Sequence, residues 1–323
     1  MEIKQTIEYP PLFSIITPTC KRPEFLKRNI RSVLNQTFKD YEHIIVDDAG
    51  DLDIPALKNE FGDQRLIFIQ NNRSEGAAGA YNAGIIQSRG EFILFLDDDD
   101  EYLPHFLERM YSRFSESYKD LGFAWCGISR IKDTSSGEVA LFTLSWPSSF
   151  SNKEDGLVAA TSIGNGFGVC IRKKCFDRIG LYDETLKVSE DTDLLFRLAQ
   201  NFYFQTIPEV LVKIHQHGMT QLTRDENFRE RIVGKEIILE RYNEVLRDYP
   251  KLFSVHWNAY ADLCYKSGLK KKARKAVFSI MKTNPSRILT YADFIAFELT
   301  RNNFMNTYFG KAVKWIVAKK RVL

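Results

Sequence analysis

Phe92-Ile93-Leu94-Phe95-Leu96-Asp97-Asp98-Asp99-Asp100 is the stretch whose reading decides the fold. Five successive apolar residues read as a buried strand, and open α/β sheets place their ligands beyond the carboxyl ends of such strands. Four adjacent carboxylates there repel one another. Two resolutions are open at this point: water solvates the acids in a turn capping a helix that begins near Leu103-Pro104, or a hard divalent cation neutralises them through oxygen ligands. Mg²⁺ or Mn²⁺ held by one or two carboxylates usually also carries a substrate's phosphates, so the second resolution predicts a nucleotide site.

The flanking sequence supplies the frame. Leu12 to Thr17 reads as a strand, and after the turn Pro18 to Pro23 a helix opens at Glu24 with Leu26, Ile30, Val33 and Leu34 on one stripe. His43 to Asp48 is a second strand running into paired acids, which makes the segment a right-handed βαβ unit. Leu66 to Gln70 is a third strand, and the small-residue stretch Gly76 to Gly84 opens a helix leading to the strand before Asp97. The alternation predicts an α/β fold with a doubly wound, mostly parallel sheet. No Gly-x-Gly-x-x-Gly follows the first strand and no Walker A sequence occurs, so a dinucleotide dehydrogenase and a P-loop enzyme fit poorly.

Further strands are expected at Gly122 to Ile128, Glu138 to Leu144, Gly168 to Arg172 and Val210 to Ile214, with a helix from near Glu190 burying Leu194, Leu195 and Leu198. The stretch Ser145 to Gly166, rich in Ser, Asn and Gly, reads as a mobile loop over the site. From about Asp225 the pattern is helical to the end. Two domains are therefore expected, a catalytic one over 1–224 and a helical, basic extension over 225–323. Within the extension, His256 to Pro285 reads as a single tetratricopeptide-like helix pair docked on the catalytic body.

Charge separates the two parts. The whole chain of 323 residues carries a formal +3, yet Asp225 to Leu323 holds 20 Lys/Arg against 10 Asp/Glu, leaving 25 against 32 for the rest. A basic segment behind an acidic body suggests contact with an anionic surface such as phospholipid or a lipid diphosphate, and charge alone permits nucleic acid equally. The terminal segment Phe304 to Leu323 interleaves Phe304, Tyr308, Phe309, Trp315, Ile316 and Val317 with Lys311, Lys314, Lys319, Lys320 and Arg321. That pattern suits either a membrane interface or a core-packed helix with a solvated basic face. Nothing at Met1 to Pro11 resembles a signal peptide and no apolar run reaches 18 residues, so a cytoplasmic protein is expected. Five scattered cysteines suit a reducing compartment, and Cys170 with Cys175 is too isolated for a zinc site.

Taken together, Phe13 to Thr19, Ser32 to Phe38, Ile45 to Asp48, Phe92 to Asp100 and Ser189-Glu-Asp-Thr-Asp-Leu-Leu-Phe-Arg197 resemble the family 2 glycosyltransferases of the GT-A fold. The likeness spans roughly residues 11 to 220 with the motifs in order. It implies a nucleotide-diphosphate sugar donor, with Pro18 and Thr19 at the nucleoside and Asp47 and Asp48 at the base, where Asp48 would accept from a uracil N3 donor. Arg73 and Asn82 fall where the family contacts base or phosphate, although Ala80-Tyr81-Asn82 departs from the commoner Ala-Arg-Asn. Asp97 and Asp99 match the Asp-x-Asp pattern for Mn²⁺ or Mg²⁺, with Asp98 near the ribose and Asp100 structural.

The same resemblance makes Asp191 the general base, with Glu190 orienting it or the acceptor and Asp193 structural. His215 falls where relatives carry a His facing the diphosphate, as a metal ligand or a phosphate donor; His217 is a weaker candidate, and Lys213 or Arg224 is in reach of a phosphate. His43, His105 and His256 look incidental.

The expected function is inverting, metal-dependent transfer of a sugar, most simply from a UDP-sugar, to a hydroxyl of a glycan or lipid-linked oligosaccharide in cell-surface polysaccharide synthesis. Peripheral contact with the inner membrane face through the basic C-terminal helix, and no nucleic-acid partner, go with that reading. The rivals are a metal-dependent nucleotidyltransferase, which usually needs a Gly-rich basic loop where Pro18 to Pro23 stands, and an inactive membrane-associated scaffold.

Overall fold

A computed structural model gives the structure of residues 9–71, 76–117, 120–135, 137–217 and 228–283. The chain first alternates strand and helix: β1 (Phe13–Thr19), α1 (Pro23–Leu34), β2 (Tyr41–Asp47), α2 (Ile54–Phe61), β3 (Leu66–Gln70), α3 (Gly76–Gln87) and β4 (Phe92–Phe95). After the aspartates come β5 (Glu101–Tyr102), α4 (Phe106–Ser115), β6 (Leu121–Thr134), β7 (Gly137–Leu144), α5 (Lys153–Ala160), a 3₁₀ turn (Asn165–Phe167), β8 (Cys170–Arg172), α6 (Cys175–Ile179), α7 (Glu190–Asn201) and β9 (Tyr203–Gln216). The remaining described elements are helical: α8 (Phe228–Arg241), α9 (Asn243–Asp248), α10 (Pro250–Lys266) and α11 (Lys270–Thr283).

Among the described residues these strands form one sheet in the order β3-β2-β1-β4-β8-β6-β9-β5, with β7 paired to β6. The first four are parallel; β8 runs antiparallel to both β4 and β6, and β6 pairs parallel with β9. Alternate residues of the central strands point to opposite faces. Ile45 packs with Leu26 and Ile30 of α1 and Leu57 of α2, whereas Ile44 and Val46 pack with Ala80, Tyr81 and Ile85 of α3. Helices therefore cover both faces, as the near-continuous apolar runs of β1, β2 and β4 require.

The stretch Ser145 to Gly166 is not the mobile loop expected from its composition. Asn152 caps α5 by accepting from Asp155 N at 2.8 Å, and Gly156, Leu157, Val158, Ala159 and Ala160 are all buried. Its charged residues fill the first turn and its apolar ones the second, so this eight-residue helix shows no amphipathic period along its length and only its burial reveals it. One of the surfaces covering it is α10, where Thr161 Oγ1 lies 2.9 Å from His256 Nε2. His256 is thus a buried, neutral brace: burial lowers its pKa well below the ordinary imidazole range. The helices from α8 onward share one apolar cluster with α3, α5 and α7. The expected boundary at residue 224 falls within 218–227 and the segment Phe304 to Leu323 within 284–323, both outside the described residues.

Buried Glu42 ties the start of the sheet together, accepting from Ser14 Oγ (2.7 Å), Arg89 N (2.7 Å) and Arg89 Nε (2.9 Å). Replacing Glu42 with Ala leaves those donors without their carboxylate, and urea denaturation is expected to show a loss of roughly 2–3 kcal/mol.

Candidate active site

The four aspartates follow β4 after one residue, Leu96, and their main chain is held by helix α1. Asn29 Nδ2 donates to Asp97 O at 2.9 Å and to Asp100 O at 3.3 Å, and Arg28 Nη2 donates to Asp99 O at 2.9 Å. The carboxylates then divide. Asp98 is fully buried, accepts from Thr19 Oγ1 at 2.7 Å and meets Arg22 Nη2 at 2.6 Å. Asp99 receives Arg22 Nη1 at 3.1 Å, and His217 Nε2 lies 2.7 Å from the same carboxylate. Tyr81 OH donates to Asp97 Oδ1 in a short hydrogen bond, while Asp100 Oδ1 accepts from His215 N at 2.9 Å.

One oxygen from each of Asp97, Asp99 and Asp100 lies within 4.8 Å of the others. Burial, then the charge of Asp99, raises the Asp97 carboxyl to about 6, and burial raises Asp98 to about 7 against the pull of Arg22. Asp100 is pushed well above the carboxylate range by burial and by Asp97 and Asp99. Hard oxygen donors whose mutual repulsion is incompletely offset by Arg22 and His217 fit Mg²⁺ or Mn²⁺. Of the four acids only Asp97 is partly exposed, so it is the edge of the cluster that faces solvent.

The second acid pair stands at the start of α7. Ser189 before it adopts the left-handed region (φ +71°), and Asp193 N donates to Ser189 O at 3.0 Å to close the first helical turn. Asp191 Oδ1 accepts from Thr192 N at 2.6 Å. Its other oxygen lies against Gly164, where a methyl group would come within 2.4 Å, so a side chain at 164 would displace the carboxylate. Burial raises the pKa of Asp191, and burial followed by the charge of Asp191 lifts Glu190 to about 8. Asp191 also acts on Asp97 and on Tyr182, whose ring stacks on Tyr81 at 5.2 Å. The two acid groups, distant in sequence, lie within electrostatic reach of each other.

At the ends of β1 and β2, Pro18 and Thr19 pair in register with Val46 and Asp47. Asp48 accepts from Asn71 Nδ2 at 2.9 Å and from Gly76 N, the first residue of α3, at 3.1 Å. Three other residues have their polar groups engaged by neighbouring residues. The Asp47 carboxylate braces the following turn, accepting from the Gly50, Asp51 and Leu52 amides and from Gln70 Nε2, which is Asx-turn chemistry. Asn82 is likewise committed: it donates to Tyr182 O and Glu184 Oε1 and accepts from Tyr182 N, joining α3 to the segment before α7.

His215 is not in the aspartate trio. Its Nδ1 lies 2.8 Å from Asp133 and its Nε2 2.7 Å from Glu101, and these hydrogen bonds raise its pKa although burial opposes them. β-strand alternation explains the exchange: His215 and His217 point the same way along β9 and beyond it, but only the latter lies far enough out to reach Asp99. Lys213 is paired with Glu138 at 2.9 Å, and Arg73 and Arg224 lie outside the described residues.

Arg22, Arg28 and Tyr81 are site residues that sequence reasoning passed over. Arg22 looked like part of a proline turn, and Arg28 and Tyr81 sit inside helices whose register relative to β4 no local pattern encodes. The departure at Tyr81 from the commoner Arg was the available signal, because a phenol beside Asp97 is a neutral donor where an Arg would be a charge.

A doubly wound sheet with acid clusters at β4 and α7 defines a GT-A-like nucleotide-sugar site. Residues 14–175 match the model of glycosyl transferase family 2, and the chain belongs to that family. An uncharacterized glycosyltransferase of Rickettsia prowazekii is 29% identical over 221 residues, 67% of each chain. The UDP-Glc:alpha-D-GlcNAc-diphosphoundecaprenol beta-1,3-glucosyltransferase WfaP of Escherichia coli is 33% identical over 126 residues, 36% of this chain and 50% of its own. Among solved structures, S. aureus TarS 1-349 in complex with UDP-GlcNAc superposes with a TM-score of 0.60 at 16% identity, covering 86% of this chain and 82% of that one.

The raised carboxyl pKa values carry a sign. Asp98 and Glu190 bind protons more tightly folded than unfolded, so their contribution to stability is lost as pH rises through about 7 and 8. Buried neutral His43 and His256 act in the opposite sense only below about pH 6.5, where unfolded imidazoles charge. Between about pH 6.5 and 8 the metal-free protein is expected to lose several degrees of Tm, and Mg²⁺ to raise Tm more at the upper pH, as differential scanning fluorimetry would show.

Proposed function

We propose that this glycosyltransferase is inverting and metal-dependent, moving a sugar from a UDP-sugar to a hydroxyl of a lipid-linked glycan. The observation that carries the reading is that the two acid groups approach each other through a short chain of contacts: Asp97 accepts from Tyr81, which stacks on Tyr182, whose hydroxyl donates to Asn165 next to the Gly164 that Asp191 contacts. Direct displacement at the anomeric carbon needs a carboxylate to take the acceptor proton on one side and charge stabilisation of the leaving diphosphate on the other. Asp191 fills the first role. It is partly exposed, its Oδ2 packs against Gly164, where only the lack of a side chain leaves it room, and partial burial makes its carboxylate a stronger base than an ordinary aspartate.

Mn²⁺ or Mg²⁺ bound by Asp97, Asp99 and Asp100 would supply Lewis-acid stabilisation of the departing diphosphate. Asp98, buried and held by Thr19 and Arg22, fixes the turn beside that cluster, and Asp48 stands at the ends of the first two strands for the base. Pro18 and Thr19 line the same edge, and Arg73 is proposed for base or phosphate. Glu190, with its raised pKa, is placed to orient acceptor or base. The UDP donor and lipid-linked acceptor rest on the likeness to the Escherichia coli enzyme named above, supported by charge: α11 carries Lys270, Lys271, Lys272, Lys275 and Lys282 with no acid. We place the protein in the cytoplasm, with that basic extension at the inner membrane face; no described helix is long and apolar enough to cross a membrane.

Two experiments test this. Asp191→Asn is expected to bind UDP-sugar with unchanged affinity while transfer falls at least ~100-fold, measured by calorimetry and product release. Equal loss of both would make Asp191 structural. Charge reversal at Lys270, Lys271 and Lys275 is expected to abolish cosedimentation with anionic phospholipid vesicles while leaving transfer to a soluble acceptor intact; persistent cosedimentation removes this surface from the membrane reading.

A further inference from the structure

Asp193, two residues beyond the proposed base, is fully buried and is held from two helices. Arg197 of α7 itself donates to its Oδ2 at 2.9 Å. The other donors come from the end of α8: Arg241 Nη1 at 2.6 Å and, just after that helix, Tyr242 OH at 2.8 Å, both to Oδ1. The Tyr242 ring stacks on Phe196 of α7 with centroids 4.3 Å apart and planes within 10°. Arg241 Nη2 also reaches Asp183 at 2.8 Å, so one guanidinium joins the segment before α7 to that helix's first turn.

The middle of α8 touches the same turn from the other side. A methyl at Gly234 would come within 2.6 Å of Val188 O and 3.2 Å of Ser189 Oγ, so the helix backbone lies directly on these residues. Ser189 is in a backbone region that L-residues rarely adopt, and such a conformation persists only when surrounding contacts impose it. Next along the helix stands Lys235; burial lowers its pKa while Asp191 acts to raise it, which puts it within electrostatic reach of the base.

We propose that α8 is a positioning element of the catalytic machinery: Arg241 and Tyr242, through Asp193, and Gly234, through Ser189, hold the first turn of α7 so that Asp191 stays aimed at the acceptor hydroxyl. The inference rests on Asp191 being the base. It makes the basic C-terminal helices part of the enzyme's chemistry as well as of its surface.

The test uses the full chain, with kcat and donor KM measured well below each variant's Tm. Tyr242→Phe removes one hydrogen bond and keeps the ring stack, Arg241→Gln removes the charge, and Arg241→Lys restores it without the fork. Expected are a fall in kcat of roughly tenfold for Tyr242→Phe, a larger one for Arg241→Gln, partial rescue by Arg241→Lys, and donor KM within about twofold throughout. Combined with Asp191→Asn, Tyr242→Phe should cost nothing further, because a misplaced base is already absent. Unchanged kcat with only a lowered Tm, additive losses in the double variant, or donor binding lost in step with turnover would each overturn this inference alone. Wild-type transfer by Asp191→Asn would overturn the base assignment and this inference together.

Discussion

Burying four consecutive carboxylates in one turn is the constraint around which the molecule is arranged. An isolated buried carboxylate costs several kcal/mol even after relaxation, so each of the four must find a donor or a cation. The donors come from everywhere the chain can reach. Thr19 and Arg22 arrive from the end of β1, Tyr81 from α3, the His215 amide from β9 and His217 from just beyond it. Asn29 and Arg28 of α1 hold the main-chain carbonyls of the run, which frees the carboxylates to face inward. What these partners leave uncompensated appears as raised carboxyl pKa values, a cost that a divalent cation would relieve by displacing the protons.

Strain marks both sides of the cleft. Among the described residues only Lys21 and Ser189 are non-glycine positions with positive φ, and each immediately precedes a site group: Lys21 precedes Arg22, and Ser189 precedes Glu190 and Asp191. Strained backbone costs on the order of 1–3 kcal/mol and survives only where neighbours over-determine it. The Arg22 pairs to Asp98 and Asp99 do this on one side, and the contacts of α8 with Val188, Ser189 and Asp193 on the other.

His215 shows how a histidine near a catalytic motif can serve the frame. Bridging Glu101 of β5 and Asp133 of β6, with Arg28 also on Asp133 at 3.1 Å, it fixes the far edge of the sheet against α1 while its amide braces Asp100. His217, whose ring lies 4.3 Å from that of Phe25 at a tilt of 35°, is the ring that faces the aspartates.

The parallel strands and the helices α1, α3 and α7 were legible in the sequence, as was the gathering of acids after β4, because apolar periodicity and acid-terminated strands are local signals. The partners of those acids were not. Whether Asp47 caps a turn or meets a ligand depends on the positions of Gly50 and Gln70. Likewise Asn82 answers to Tyr182, and His217 rather than His215 reaches Asp99 because of where β9 ends. Composition also misread residues 145–166, since a short helix with its charges in the first turn and its apolar residues in the second has no period to detect. By itself the sequence determined which residue types would gather at the strand ends. Only the tertiary structure decided which of them touch, and it alone set α8 against the turn that carries Asp191, because long-range packing sets side-chain neighbours that no spacing along the chain records.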